Sequence, residues 1–98
     1  MIKEFGDKPT EDLFNGISST YARRIPNKIW DVAQRKLDLL NAAQSLDDIK
    51  SPPGNRLEKL KGDYRGFYSI RINDQWRVVF KWDDRSSSAY EVRVIDYH

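Results

Sequence analysis

Asp96, Tyr97 and His98 are the last three residues of the sequence, and His98 is its only histidine. Imidazole, with an unperturbed pKa of ~6.5, accepts or donates a proton near neutrality. The carboxylate and phenol beside it supply charge and hydrogen bonds, and a neighbouring carboxylate orients an imidazole or raises its pKa. Three proton-handling groups in a row are a candidate acid–base site. The alternative is a frayed, solvated terminus. A second chemical signal is positive charge: residues 50–82 hold eight Lys/Arg against three Asp/Glu, whereas residues 1–49 hold seven against eight. That local excess, interleaved with Tyr64, Phe67, Tyr68 and Trp76, has the composition of a surface that meets phosphates and stacked bases.

Composition limits the other possibilities. Ninety-eight residues with 39% hydrophobic content fit one compact domain spanning residues 1–98, since a chain of this size buries well over half of its unfolded surface. With no cysteine and one histidine, a disulfide, a thiolate nucleophile or a protein-only transition-metal site is disfavoured, so the expected chemistry needs no metal or other cofactor. The start of the chain has no apolar signal-peptide core, and no run is long enough to cross a bilayer. The expectation is a soluble, cytoplasmic protein with no membrane partner.

Several elements must position these groups. Residues 2–5 read as a short strand. Asp7, Lys8 and Pro9 offer a cap and a first-turn proline for a short helix over residues 10–15, closed by Gly16. A longer helix over residues 26–44 follows, with Ile29, Val32, Ala33, Leu37, Leu40 and Ala43 at three- and four-residue steps. Ser51-Pro52-Pro53-Gly54-Asn55 then excludes continuing helix and reads as an ordered turn. Beyond Leu57 the period becomes two: Tyr68, Ile70 and Ile72, then Trp76, Val78, Phe80 and Trp82, then Tyr90, Val92 and Val94 mark three half-buried strands in a meander.

Register follows from keeping apolar residues on one face. A three-residue loop at Asn73-Asp74-Gln75 pairs Ile72 with Trp76, Ile70 with Val78 and Tyr68 with Phe80. With Ser86-Ser87-Ser88 at the next hairpin tip, the same logic pairs Trp82 with Tyr90, Phe80 with Val92 and Val78 with Val94. Asp96 then lies opposite Trp76. Arg71 falls opposite Arg77, and like charges facing each other across strands are destabilising. An anion held between two guanidinium forks would relieve the repulsion; splaying into water, or pairing with carboxylates such as Glu58 or Glu91, would relieve it too. Lys59, Lys61 and Arg65 enter the sheet nearby, and Arg93 shares the polar face.

If the anion is an RNA phosphate, the substrate carries its own nucleophile, the 2′-hydroxyl. The protein then supplies a base for that hydroxyl, positive charge on the phosphorane and an acid for the leaving 5′-oxygen. Lys61, Arg71 and Arg77 are candidates for the charge and His98 for proton transfer; Asp96 would tune the imidazole, and Tyr97 would stack a base or share in proton transfer.

Four ordered motifs then carry a family resemblance: Leu57-Glu58-Lys59-Leu60-Lys61-Gly62-Asp63, Gly66-Phe67-Tyr68-Ser69-Ile70-Arg71, Gln75-Trp76-Arg77-Val78-Val79-Phe80, and Asp96-Tyr97-His98. Together they resemble the HigB branch of the RelE/ParE toxin superfamily, including GraT-like killer proteins, over nearly the whole chain. The resemblance implies a RelE-like α+β fold, with two N-terminal helices packed on a twisted, mainly antiparallel sheet. It implies a toxin of a type II toxin-antitoxin system that cleaves messenger RNA in the ribosomal decoding site without a metal and so inhibits translation. It also implies a HigA-like helix-turn-helix antitoxin as partner, with operator DNA met only through the antitoxin complex. By motif, Lys61, Arg77, Asp96, Tyr97 and His98 match the catalytic positions. Arg56, Glu58, Lys59, Arg65, Arg71, Gln75 and Arg93 are the expected RNA-contacting set. Two positions depart from the pattern of a well-known HigB toxin: Glu58 stands where it has histidine, and Gln75 where it has asparagine. Two other outcomes are compatible with the fold: a ParE-like gyrase poison, and a catalytically weak toxin-fold protein acting through antitoxin binding and operon repression.

Overall fold

The computed structural model describes residues 1–97. Helix α1, Lys8–Phe14, begins where Asp7 accepts a hydrogen bond from the Thr10 amide at 3.0 Å, and it ends at Asn15, followed by Gly16 at φ +73°. The cap and the left-handed glycine supply the start and stop expected from sequence. Buried Asp12 accepts from the Ser19 hydroxyl at 2.6 Å and pairs with Lys8 at 3.1 Å. The Ser19 hydrogen bond, reinforced by the ammonium, holds the Asp12 carboxyl below the usual carboxylate range.

A 3₁₀ turn over Asn27–Ile29 leads into α2, Trp30–Ala42, whose Ala33, Leu37 and Leu40 are fully buried. The connector that follows is ordered. It contains a one-turn helix α3, Leu46–Ile49, and a 3₁₀ turn over Pro53–Asn55. Fully buried Asn55 ties it together, donating to the carbonyls of Ile49 at 3.1 Å and Ser51 at 3.2 Å and accepting from Lys36.

Four strands then form one antiparallel sheet in the order β1-β2-β3-β4: Glu58–Lys59, Tyr68–Arg71, Trp76–Asp83 and Ser88–Asp96. The first is an edge strand beyond the three expected. Tyr68 faces Phe80, Ile70 faces Val78 and Arg71 faces Arg77, as the three-residue loop requires, and Ile72 donates to the Trp76 carbonyl at 3.0 Å. Val78 faces Val94 and Trp76 faces Asp96, also as expected.

The far end of that hairpin differs from the expected register. Val79 pairs with Arg93 but Lys81 pairs with Tyr90 and Trp82 with Ala89. Three steps on β4 therefore match two on β3, and Glu91, at φ +51°, is the extra residue of a β-bulge. The bulge puts both Ala89 and Val92 into the helical core, a three-residue spacing that a regular strand cannot achieve. Tyr90 is accordingly displaced from the expected core position to a place opposite Lys81.

Residues 2–5 do not form a ladder of their own. They run parallel to β4 through bridges at Ile2 and Ala89 and at Phe5 and Val92, again three residues apart on both sides. Lys3 and Gly6 donate to the carbonyls of Ala89 and Val92, both at 2.8 Å. Where this segment turns away into α1, Thr10 takes over: its buried hydroxyl accepts from the Val94 amide at 2.8 Å. The main core lies between α1, α2 and one face of the sheet and is built from Leu13, Ile25, Ile29, Leu37, Leu40, Ile70, Val78, Phe80 and Val92 among others. Among the described residues no helix is long and apolar enough to cross a membrane.

Thr10→Val keeps shape but leaves the Val94 amide buried without an acceptor. The expected loss is about 1–3 kcal/mol in urea denaturation, with Thr10→Ser retaining most of the stability.

Candidate active site

Among the described residues the other face of the sheet carries no α-helix. Central strand β3 nevertheless buries three consecutive side chains, Val78, Val79 and Phe80, all 0% exposed. Val78 and Phe80 point into the helical core. Val79 joins Leu60 and Phe67 in a second cluster, against which Tyr64, Ile95 and Tyr97 pack. Tyr64 and Phe67 meet edge-on with ring centroids 5.8 Å apart, a favoured aromatic geometry. A 3₁₀ turn over Gly62–Tyr64 and the return through Gly66, at φ +93°, bring these rings over the sheet.

Arg77 stands at one end of this apolar strip. Its guanidinium carbon lies 5.2 Å from the centre of the Tyr97 ring, and Nη1 donates to the Ser69 hydroxyl at 3.3 Å. Nη1 is also 3.7 Å from a Glu58 carboxylate oxygen. The Arg77 side chain is only 13% exposed, so its charge is held in a partly desolvated pocket, where cation–π and ionic contacts are stronger than in water. At the other end Lys81 lies 5.1 Å from the Phe67 ring centre and pairs with Glu91 at 2.9 Å. That hydrogen bond, aided by the charges of Lys81 and Arg93, holds the Glu91 carboxyl below its ordinary range.

The loop before β3 fixes the end of β4 beside Arg77. Asn73 Oδ1 accepts from the amides of Gln75 and Trp76, both at 2.8 Å, which closes the three-residue loop as an Asx turn. Gln75 is thereby presented to β4 twice. Its carbonyl accepts from the Tyr97 amide at 2.7 Å and its side-chain Nε2 donates to Asp96 Oδ2 at 3.0 Å.

Glu58, Arg77 and Tyr97 thus come together, joined by Ser69, which sequence reasoning did not single out; Gln75 ties Asp96 and Tyr97 to the loop, while Asp96, paired with Trp76, leaves the sheet on the helical side. Arg71 faces Arg77 in the ladder as expected, but its guanidinium pairs with Asp74 of the intervening loop. That pairing, helped by the charge of Arg56, holds the Asp74 carboxyl low. The repulsion inferred from sequence is relieved by two carboxylates, Asp74 on one arginine and Glu58 near the other. Arg93 runs across the backbone of Gly6, where a Cβ would collide with its side chain, and lies 3.8 Å from Glu91. Lys59 pairs with Tyr68, whose ring packs on the helical core, so the pleat turns Lys59 away from the Arg77 face. Lys61 and Arg65 are exposed at the two ends of the 3₁₀ turn and Arg56 is exposed after the connector. Among the described residues no carboxylate pairs with Lys59, Lys61 or Arg65. His98 lies outside the described residues. No group of three or more His, Cys, Asp or Glu side chains able to hold a metal occurs among the described residues.

One signal for the second cluster was present in sequence. Val79 and Ile95 occupy positions where strict alternation calls for polar residues, so the strip they form with Leu60 and Phe67 marks a sheet covered on both faces.

Comparison with known proteins fits this architecture. Residues 3–98 match a family described as the RelE-like toxin of type II toxin-antitoxin system HigB. Toxin HigB-1 of Vibrio cholerae is 43% identical over 84 residues, covering 86% of each chain. Endoribonuclease HigB of Proteus vulgaris is 29% identical over 99 residues, the full length of both. Among solved structures, the YoeB-YefM toxin-antitoxin complex of Staphylococcus aureus contains a chain that superposes with TM-score 0.57 at 21% identity, over 100% of this chain and 98% of that one. A second YoeB-YefM complex from the same organism gives 0.53 at 22% identity, with the same coverage. These structures share the α+β fold described above.

Asn73→Ala removes the acceptor that closes the loop. It is expected to lower stability by about 1–2 kcal/mol and to speed hydrogen exchange at the Tyr97 amide, read by NMR, before exchange at Val78 or Val94 changes.

Proposed function

The chain belongs to the family of RelE-like HigB toxins of type II toxin-antitoxin systems, and on that premise we propose that it is an endoribonuclease that cuts messenger RNA on the ribosome and so stops translation. The observation that carries this reading is Arg77: one arginine, largely withdrawn from water, laid on the Tyr97 ring and donating to the Ser69 hydroxyl. A guanidinium so placed is preorganised for the non-bridging oxygens of a phosphodiester, whose charge grows as the phosphorane forms.

The reaction follows from the substrate. The 2′-hydroxyl loses its proton to a base and its oxygen bonds to the adjacent phosphorus. The bond from phosphorus to the 5′-oxygen breaks, and that oxygen takes a proton from an acid. The products are a 2′,3′-cyclic phosphate and a 5′-hydroxyl, and no metal is required because the nucleophile is internal. In this reading Arg77 neutralises the phosphorane and Lys61, exposed at the start of the Gly62–Tyr64 turn, adds charge. His98 carries the proton, and Asp96, held by Gln75, sets its charge. Tyr97 offers its ring to a neighbouring base. Arg56, Lys59, Arg65, Arg71 and Arg93 supply longer-range attraction to RNA backbone. The name of the Proteus vulgaris relative supports the activity, and the toxin-antitoxin complexes of Staphylococcus aureus support a partner protein. The partner we infer is a HigA-like helix-turn-helix antitoxin, met in the cytoplasm, where the ribosome also resides.

Primer extension on messenger RNA from a translating extract tests this. Codon-phased cuts are expected from the wild type, to vanish when translation is blocked and with His98→Ala. Arg77→Ala should slow cutting by roughly 10²–10³-fold, as loss of one preorganised charge stabiliser does, and Arg77→Lys should not restore it, because an ammonium lacks the planar fork. Undiminished cutting by Arg77→Ala, or disturbed DNA supercoiling with no cuts from the folded protein, would overturn the reading.

A further inference from the structure

Glu58 is the one carboxylate that approaches Arg77 among the described residues, and its contact has an unusual balance. Arg77 is 13% exposed while Glu58 is 48% exposed, and the two are 3.7 Å apart, too long for a hydrogen bond. Nη1 donates to the Ser69 hydroxyl instead, at 3.3 Å, and the guanidinium rests on the Tyr97 ring. The arginine is therefore fixed and the glutamate is not. Glu58 belongs to a two-residue edge strand with no neighbour on its outer side in the sheet. Among the described residues this is the carboxylate that stands against Arg77, and a phosphate oxygen bonding to Nη1 would meet its negative charge. Swinging it aside costs little, because an exposed ion pair of this kind is weak, but until it swings it opposes any anion.

We propose that Glu58 is a built-in brake: its carboxylate competes with the RNA phosphate for Arg77 and weakens the toxin, without taking part in proton transfer. This rests on the nuclease reading for its biological meaning, but competition for an anion is measurable without it. The step involves no covalent change. A phosphate arrives, the Glu58 side chain leaves Arg77 for water, and Ser69 and Tyr97 keep the guanidinium in place.

The experiment pairs two readouts on wild type, Glu58→Gln and Glu58→Asp, each first shown to melt as a folded protein. Inorganic phosphate is titrated while the Arg77 Nε–H resonance is followed by NMR, and messenger RNA cutting is followed in the translating extract. Removing the charge in Glu58→Gln is expected to tighten phosphate binding at Arg77 by roughly two- to fivefold at low salt, the range an exposed ion pair spans. The gain should shrink as salt rises, and cutting should speed by a similar factor. Glu58→Asp, which keeps the charge on a shorter arm, should fall between the two. Phosphate affinity unchanged by Glu58→Gln would overturn the brake. So would loss of cutting in Glu58→Gln with activity kept in Glu58→Asp, which would make the carboxylate a general base. If phosphate binds more tightly to Glu58→Gln but neither protein cuts messenger RNA, the brake on Arg77 stands and the nuclease reading falls.

Discussion

The strand that carries Asp96 and Tyr97 is hydrogen-bonded on both sides, and the rest of the site depends on that. On one side β4 pairs antiparallel with β3; on the other it receives residues 2–5 in parallel and then the Thr10 hydroxyl. An edge strand left open would present unpaired amides and be free to fray or slip. Here the two neighbours demand different spacings. The β3 ladder places Val92 and Val94 in the core by strict alternation, while the N-terminal bridges engage Ala89 and Val92. The bulge at Glu91 reconciles them by inserting one residue, at the cost of a left-handed backbone on a side chain other than glycine, roughly 1–2 kcal/mol. Its carboxylate recovers part of that by meeting Lys81 and Arg93.

With β4 fixed, the sheet can afford to be two-sided. Val79 at the centre of β3 is as buried as Phe80 beside it, although no α-helix among the described residues covers that face. The cover comes from the loop between β1 and β2 and from Tyr97 itself. The Tyr97 ring set against an apolar floor, with Arg77 held between that ring and the Ser69 hydroxyl, makes a low-dielectric corner on a small protein. Arg71, its ladder partner, is removed from that corner by Asp74. The result is a single guanidinium at the site rather than the pair of forks that strand register alone implies.

Much of this was legible from residue order. The Asn73-Asp74-Gln75 loop, the Arg71–Arg77 and Trp76–Asp96 pairs and the caps of α1 follow from alternation and turn chemistry, and the four motifs identified the family. The bulge was hidden because Tyr90, Val92 and Val94 alternate without fault. Only the parallel pairing of residues 2–5, a non-local contact, makes Ala89 the core residue. Strand β1 was hidden because two exposed charged residues have no periodicity to detect. The destination of Arg71 depended on a side chain three residues away choosing one partner among several carboxylates. Gln75 was legible as a departure from a motif, whereas its two-point hold on β4 is a property of the folded loop.

The pairing of residues 2–5 with 89–92 also bears on synthesis. Residues 2–5 find their place against β4, far along the chain, so neither the sheet edge nor the Tyr97 corner exists on a nascent chain that has not yet produced β4. Contacts of such long sequence separation form late. A nascent chain that stops short of β4 therefore has its helices but no finished site.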